Sequence, residues 1–388
     1  MFVINLTCLK CGTTHPMTPT SYICPACEHG STDMDTDIGI LDVQYDYLAA
    51  QEALLRGKDI NSSRSDVFRY IPLLPVKQSA DVPHAGGTPL LNAPRLASRL
   101  GLKSLYIKDE TRNPTRCLKD RATVIAMTMA QEIGVTDFYC ASAGNAAISL
   151  ASYCGHQGLN CHVFVPQEAS QTRLNWLRRF GANIQVSTGN YDQAFDEAET
   201  AGAKYGWYSR NCAYNPFLVE GKKTVALEIG EQLGWQAPDL VVSPVGDGCT
   251  LGAIGKGFRE LSFLGLTDRL PRLLGIQSEV IQPLVHRYHE QSITPDEGTT
   301  AAASMAVRRP RNALRLLKEL RASEGTMLAV SDSQIAAAQK LLAVEAGIIA
   351  EFTSSATLAG LMKQAEAESL AGKTAVLVIT GGRLDSDF

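Results

Sequence analysis

Two pairs of cysteines near the N-terminus have the spacing of a metal site. Cys8-x-x-Cys11 and Cys24-x-x-Cys27 each direct two thiolates to one point, and four soft ligands suit tetrahedral zinc. Disulfides are disfavoured in a reducing compartment, and a redox CxxC is normally single and opens a helix. The spacing therefore predicts a small zinc ribbon over residues 1–35. Because this segment has few basic residues, we interpret the zinc as structural.

One lysine, Lys119, is a candidate for chemistry because of its position between a loop and a helix. Lys119 follows a loop and begins a helix in the segment NPTRCLKDR, residues 113–121. In a partly desolvated cleft the pKa of such an amine falls, and the neutral amine can form a Schiff base with a carbonyl. A solvated lysine in a salt bridge explains this stretch equally well. The residues alone leave both possibilities open.

Three glycine-bearing turns each follow an apolar run, at the place where open α/β sheets bind ligands. They span residues 141–145, 244–250 and 380–383. A glycine-rich turn that opens a helix presents backbone N–H groups and the positive end of the helix dipole to a phosphate. The turn at 244–250 completes neither a GxGxxG fingerprint nor a GxxxxGK[ST] loop. It therefore predicts a phosphate site, but not a nicotinamide or nucleotide-hydrolysing one.

Short apolar runs alternate with amphipathic stretches from residue 86 onward. Continuous apolar strands are typical of a parallel sheet that is covered on both faces. The alternation predicts an α/β fold with largely parallel sheets. The predicted strands are 105–108, 138–141, 161–165, 184–186, 240–243 and 376–379, and the predicted helices include 146–154, 171–180 and 191–205.

The bulk composition is that of an ordinary globular chain. Its 388 residues are 45% hydrophobic and 20% charged, which allows two to three domains. The net charge of −4 offers no overall basic field to nucleic acid or to anionic lipid. We find no apolar run of transmembrane length and no charged N-terminal leader. We therefore expect a soluble, cytoplasmic protein without a nucleic-acid or membrane partner.

The motifs, taken in order, resemble those of the fold-type II pyridoxal-phosphate enzymes, and among them the threonine synthase family. The resemblance covers about residues 86–385. It rests on GGTPL (86–90), KDE (108–110), NPTRCLKDR (113–121), ASAGN (141–145), YNPFLVEGKKT (214–224), PVGDGCT (244–250) and ITGG (379–382). It implies two doubly wound α/β domains, similar to the tryptophan synthase β subunit. The larger, cofactor-binding domain would comprise 36–122 and 223–388, and the smaller, mobile domain 123–222.

The resemblance also implies a role for each matching residue. Lys119 would hold pyridoxal 5′-phosphate as a Schiff base and then act as the acid and base. Asn145 would hydrogen-bond the 3′-oxygen of the pyridine ring, and Thr380 would meet the ring nitrogen. The residues implied to bind the substrate carboxylate are Ser142, Ala143 and Gly144. Those implied to bind the cofactor phosphate are Gly246, Asp247, Gly248, Cys249 and Thr250.

The reaction implied by the resemblance converts O-phosphohomoserine and water into threonine and phosphate, by γ-elimination and β-addition, in a homodimer. Arg116, Cys117 and Leu118 stand where the family usually has Gly, Ser and Phe. A β-replacement or β-elimination enzyme acting on phosphoserine, serine or diaminopropionate, similar to cysteate synthase or an ammonia-lyase, therefore stays open. The candidate cations for a substrate phosphate are Lys108, Arg116, Arg121 and Arg173, whereas Asp109 and Glu110 are interpreted as a solvated turn.

Overall fold

The computed structural model describes residues 1–27, 37–56, 64–77, 81–291 and 298–382. It divides into two compact units. The first contains the described residues of Met1–Gly87 and Asn113–Lys222, and the second contains Thr88–Arg112 and the described residues from Lys223 onward. None of the helices in these ranges is long and apolar enough to cross a membrane.

The described residues form the following regular elements. The strands are β1 Val3–Cys8, β2 Thr14–His15, β3 Leu41–Tyr45, β4 Leu90–Asn92, β5 Ser104–Asp109, β6 Asp137–Ala141, β7 Asn160–Val165, β8 Asn183–Val186, β9 Tyr208–Ser209, β10 Leu240–Pro244, β11 Arg272–Ser278, β12 Thr326–Val330 and β13 Thr374–Ile379. The helices are α1 Tyr47–Arg56, α2 Pro94–Arg99, α3 Lys119–Glu132, α4 Asn145–Gln157, α5 Gln171–Arg179, α6 Tyr191–Tyr205, α7 Pro216–Gln232, α8 Cys249–Phe263, α9 Pro283–Tyr288, α10 Ala313–Ala322, α11 Asp332–Ala346 and α12 Phe352–Ala367. Short 3₁₀ helices occur at Pro25–Cys27, Val67–Leu73, Glu110–Arg112 and Ala303–Met305.

The first unit contains two sheets. A small antiparallel sheet has the order β2-β1-β3, and a four-stranded parallel sheet has the order β8-β7-β6-β9. In the parallel sheet, β6 is the strand that ends at the ASAGN motif. Helix α4 begins at Asn145, the last residue of that motif, and packs against β6 and β7. The motif is therefore held at the carboxyl end of a buried strand, as parallel α/β architecture requires.

The second unit is built on one six-stranded sheet in the order β12-β11-β10-β13-β5-β4, in which β4 alone runs antiparallel to its neighbour. Its central strands β10 and β13 pair side by side, with Val242 opposite Leu377. Both side chains belong to the hydrophobic core. Burial on both sheet faces explains why these strands appear in the sequence as continuous apolar runs.

The predicted α/β class with mostly parallel sheets is confirmed, and all six predicted strands are present. The predicted strands at 138–141, 161–165 and 184–186 form one sheet as β6, β7 and β8. The predicted helix over 191–205 has the bounds of α6. The small sheet extends beyond the predicted ribbon, because Leu41–Tyr45 pairs with β1. The predicted domains are defined by cofactor binding and by mobility, whereas the two units are defined by compactness alone. The predicted domain boundaries therefore stay a prediction.

Candidate active site

The loop before Lys119 has an unusual backbone. Arg116 adopts a φ of 60°, in the left-handed region that favours glycine, and its N–H donates to the carbonyl oxygen of Asn113 at 2.8 Å. The Asn113 side chain accepts from the N–H of Gly86 at 2.9 Å. The buried thiol of Cys117 accepts from the N–H of Lys119 at 3.3 Å. The turn thus delivers Lys119 to the first position of α3.

The first turn of α3 is fixed by a buried carboxylate. Asp120 accepts from the N–H of Thr115 at 2.7 Å and from its hydroxyl at 2.5 Å. It also accepts from the Ser149 hydroxyl of α4 at 2.6 Å. Burial raises the pKa of Asp120 above its ordinary value, and these hydrogen bonds oppose that rise. This network joins the loop, α3 and α4, so that the Lys119 side chain starts from a rigid base.

The amine of Lys119 is placed to be reactive. Burial lowers its pKa from the ordinary value of 10.5, and the positive charge of Lys222 lowers it further. Cys117 acts in the opposite direction, and Arg210 adds to the lowering. A lysine with a lowered pKa has a larger neutral, nucleophilic fraction near neutral pH.

The ASAGN loop presents unused backbone donors. The N–H of Ser142 is bonded to the carbonyl of Phe164 at 3.0 Å, and the Ser142 hydroxyl accepts from the N–H of Gly144 at 3.0 Å. No described residue accepts from the N–H of Ala143 or of Ala146. These donors lie at the N-terminus of α4, where the helix dipole favours an anion. In the same unit Asn145 is the first residue of that helix.

In the second unit, the loop 246–250 has the properties of a phosphate cradle. Gly248 caps α8 with a φ of 96°. A Cβ on Gly246 would lie 3.1 Å from the carbonyl oxygen of Ser304, and one on Gly248 would lie 3.0 Å from that of Asn312. The carboxylate of Asp247 is engaged elsewhere, because it accepts a hydrogen bond from the N–H of Arg311 at 3.2 Å. The backbone N–H groups that have no acceptor among the described residues belong to Gly246, Gly248, Thr250 and Leu251.

Thr380 ends the central strand β13 of the second unit. Its hydroxyl lies 2.9 Å from the Ser354 hydroxyl, which also accepts from the N–H of Gly381 at 2.9 Å. Ser354 is completely buried near the start of α12. Ser354 therefore orients Thr380. The rest of the predicted turn, Arg383, lies outside the described residues.

The four N-terminal cysteines come together as predicted. The sulfur atoms of Cys8, Cys11, Cys24 and Cys27 all lie within 4.8 Å of one another. The Cys8 sulfur accepts from the N–H groups of Lys10 and Cys11, each at 3.4 Å. A Cβ on Gly39 would lie 2.5 Å from the Cβ of Cys27, so only glycine fits behind the cluster. This donor set fits tetrahedral zinc. Residues 28–35 of the predicted ribbon lie outside the described residues.

Comparison with known proteins agrees with the chemistry of these loops. The sequence model of the family described as "Pyridoxal-phosphate dependent enzyme" matches residues 82–381. The chain belongs to this family of pyridoxal-phosphate-dependent enzymes. It is 36% identical to the threonine synthase of Methanocaldococcus jannaschii, over 97% of this chain and 91% of the relative. It is 35% identical to that of Methanosarcina acetivorans, over 99% and 92%. These relatives confirm the resemblance to threonine synthases within the fold-type II pyridoxal-phosphate enzymes. They also confirm that the chain is a pyridoxal-phosphate-dependent lyase.

Solved structures support the fold of the family. The processed form of threonine deaminase isoform 2 from Solanum lycopersicum has a TM-score of 0.67 at 20% identity, with 96% of each chain covered. Diaminopropionate ammonia lyase from Escherichia coli has a TM-score of 0.65 at 19% identity, covering 77% of this chain and 85% of that one. At this level of identity the likeness concerns architecture.

The residues present fit the cofactor of the family. A lysine with a lowered pKa begins α3, and a helix N-terminus with several unused N–H groups offers a phosphate site. Lys119 and Asn145 lie in the first unit, whereas Thr380 and the loop 246–250 lie in the second. Each group is preorganised within its own unit.

Three expectations about charged residues near the KDE motif are wrong. Lys108 is not a free candidate for a substrate phosphate, because it is fully buried and donates to Glu228 at 2.7 Å, to the Thr88 carbonyl at 2.6 Å and to Gln232 at 2.9 Å. Asp109 and Glu110 do not form a solvated turn, since both are buried. Strand β5 lies between β13 and the edge strand β4, and the three residues of the motif are buried there.

The other candidate cations differ in exposure. Arg121 is completely buried, whereas Arg116 is exposed. Arg173 is half-buried, and its guanidinium lies 3.8 Å from the position of a Cβ on Gly144. Sequence reasoning missed two further cations near Lys119, which are Lys222 and Arg210. Lys222 stood inside a quoted motif, but nothing in the sequence separated it from its neighbour Lys223.

Proposed function

We propose that this chain converts O-phosphohomoserine and water into threonine and phosphate. The observation that carries the proposal is the similarity to threonine synthases over nearly the whole chain. The reaction breaks the Cγ–O bond to phosphate and one Cβ–H bond, and it forms a Cγ–H bond and a C–O bond from water at Cβ. Pyridoxal phosphate, when bound, supplies an electron sink that stabilises negative charge at substrate carbons.

The residues of the chain would divide the work as follows. The Lys119 amine would hold the cofactor through its aldehyde and, once released, would move protons at Cα and Cβ of the substrate. Asn145 hydrogen-bonds the 3′-oxygen of the cofactor ring, and Thr380, oriented by Ser354, meets the ring nitrogen. The substrate carboxylate is bound by the loop of Ser142, Ala143 and Gly144. The cofactor phosphate is bound by the loop of Gly246, Asp247, Gly248, Cys249 and Thr250, with Asp247 acting through its backbone.

The experiment is an assay of phosphate release and threonine formation with purified, cofactor-loaded protein. Equal amounts of both products are expected from O-phosphohomoserine. Lys119→Ala should lose activity by at least roughly a hundredfold together with the visible Schiff-base absorbance, whereas Lys204→Ala, an exposed lysine on α6, should retain both. If the loaded protein leaves O-phosphohomoserine unchanged but turns over phosphoserine, serine or diaminopropionate, the β-acting alternative replaces this proposal.

We also propose that Cys8, Cys11, Cys24 and Cys27 bind one structural zinc ion. The clustering of the four sulfur atoms and the N–H donors to Cys8 support it. Elemental analysis of the purified protein should give one zinc per chain, and Cys24→Ser should lower this value. The serine variant of Cys154, a buried cysteine in α4, should retain the zinc. A metal-free wild-type protein would contradict the assignment.

We further propose that the protein is a homodimer, as the family resemblance implies, and that it is cytoplasmic, as its composition leads us to expect. Light scattering coupled to size-exclusion chromatography should give twice the chain mass of 41.8 kDa. A monomeric mass for the active protein would contradict the first.

A further inference from the structure

One buried lysine of the first unit has no hydrogen-bond or ion-pair partner among the residues that the structure describes. Lys222 is only 2% exposed. No described residue forms a hydrogen bond or an ion pair with its amine. A buried ammonium without a counter-ion is costly. The position therefore calls for an anion that the described part of the chain does not supply.

The charged residues near Lys222 on α7 do have partners, so a buried charge without a partner is not a general property of this helix. Glu220 accepts from the buried hydroxyl of Tyr45 at 2.8 Å. Lys223 forms an ion pair with Glu260 at 2.8 Å, and both side chains are completely buried. Lys222 alone of these three charged residues is left for a ligand.

The backbone of α7 brings Lys222 to the first turn of α3. A Cβ on Gly221 would lie 2.0 Å from the carbonyl oxygen of Arg121 and 2.9 Å from a side-chain carbon of Ile125. The two helices therefore touch backbone to backbone at Gly221. Arg121 is two residues from Lys119, so Lys222 is held beside the reactive lysine.

The surroundings of this point are positively charged. Arg210 donates to the Lys119 carbonyl at 3.0 Å and to the Thr123 hydroxyl at 3.2 Å. The groups that act most strongly on the Lys119 amine are two cations, Lys222 and Arg210, and the thiols of Cys117 and Cys212. The nearby Asp120 carboxylate already accepts from Thr115 and Ser149. The first turn of α3 thus carries an excess of positive charge.

We propose that Lys222, buried beside the first turn of α3, binds the phosphate ester of the substrate. This inference rests on the proposed function, in which O-phosphohomoserine brings a phosphate in addition to its carboxylate. The carboxylate has donors of its own in the loop 142–144. The unpaired ammonium supplies the charge-assisted hydrogen bond that a phosphate requires. Lys222 would then select substrates that carry an anionic leaving group over the corresponding alcohols.

The direct test is a ³¹P NMR titration of cofactor-loaded protein with inorganic phosphate, which is the leaving group itself. The signal of the cofactor phosphorus reports in the same spectrum that the cofactor is retained. Lys222→Met should weaken phosphate binding by about tenfold or more, and Lys222→Gln should do the same. Lys222→Arg keeps the charge and should retain most of the binding. Lys204→Met is the matched surface control.

Kinetics give a second measurement that a merely structural role would not produce. In Lys222→Met the KM for O-phosphohomoserine should rise by about tenfold or more. Inhibition by homoserine, which lacks the phosphate, should be unchanged. Equal weakening of both would show that Lys222 supports the site as a whole and would overturn the inference.

The two proposals fail in different ways. If wild-type protein converts no O-phosphohomoserine, the proposed reaction is wrong, but saturable phosphate binding that depends on Lys222 still supports the phosphate subsite. If wild-type protein binds no phosphate in the titration, or if Lys222→Met binds it as well as wild type, the inference about Lys222 is wrong whatever the activity.

Discussion

At the scale of single residues, Arg116 has a strained backbone conformation three residues before Lys119. The left-handed conformation costs an L-residue about 1–2 kcal/mol, and glycine avoids this cost. The family usually has glycine at this position, and the φ of 60° in this chain explains why. The turn is maintained by the hydrogen bond to Asn113 and by the buried Asp120 network.

Replacing Arg116 by glycine should therefore stabilise the protein. Glycine removes the conformational cost in the folded state, and this gain is larger than the loss of stability caused by the greater flexibility of glycine in the unfolded chain. We therefore expect the free energy of unfolding to rise by roughly 0.5–1 kcal/mol. Urea unfolding measures it. Arg116→Ala is the control, because it removes the charge but keeps the Cβ, and it should give no comparable gain. Equal stabilisation by both variants would show that charge, not backbone conformation, is responsible.

The lowered pKa of Lys119 predicts how cofactor loading depends on pH. Only the neutral amine reacts, so the loading rate of apoprotein should rise with pH and level off above the pKa of Lys119, below 10.5. Lys222→Gln removes a positive neighbour, which raises this pKa and moves the plateau to higher pH. Stopped-flow absorbance at a series of pH values measures the profile. Lys204→Gln removes a distant charge and should leave it unchanged; a shift in both variants would contradict the local explanation.

At the scale of secondary-structure elements, the contact between α3 and α7 fixes the spacing of the reactive cations. Gly221→Ala should lower the free energy of unfolding by about 1–3 kcal/mol, although alanine favours helices, because its Cβ would overlap the Arg121 backbone. Gly230→Ala on the same helix meets only the end of the Leu261 side chain at 2.7 Å. It should cost less. Calorimetric unfolding compares the two variants, and an equal effect would contradict the argument.

Local signals explain which elements could be predicted. Helix α6 was predicted with its full bounds because its ends are encoded nearby, by the Asn190–Gln193 capping box and by Gly206 at the C-terminus. Strand β11 was not predicted, since Gly275 interrupts its apolar run. The reason for that glycine is tertiary, because a Cβ there would lie 2.2 Å from the Met327 sulfur on β12.

The same distinction applies to the site. The glycine-bearing turn at 244–250 and the cysteine pairs were predictable because their signals are local in sequence. Lys222 and Lys223 are adjacent, and both are buried on α7. Only the fold shows that Lys223 is neutralised by Glu260, while no described residue forms an ion pair with Lys222. Lys108 was misassigned for the same reason, since its partner Glu228 is distant in sequence.

At the scale of the whole molecule, the cysteine ribbon shares a compact unit with the lysine segment. Tyr45 of the small sheet donates to Glu220 of α7, two residues before Lys222. Tyr22, between the two cysteine pairs, accepts from the N–H of Ser209 and packs edge-on against Tyr208. The ribbon therefore supports the elements that carry the reactive cations.

Removal of zinc should loosen these elements before it affects the second unit. Metal-site ligation contributes directly to folding, so chelation should raise amide hydrogen exchange in β9 and in the first turns of α7, while β10 and β13 stay protected in their own core. Mass spectrometry of peptides from chelated and zinc-loaded protein measures the difference. Cys24→Ser should reproduce the chelated pattern, which excludes a direct effect of the chelator. Unchanged exchange in α7 would mean that the ribbon folds independently and that Tyr45 contributes little to the position of Lys222.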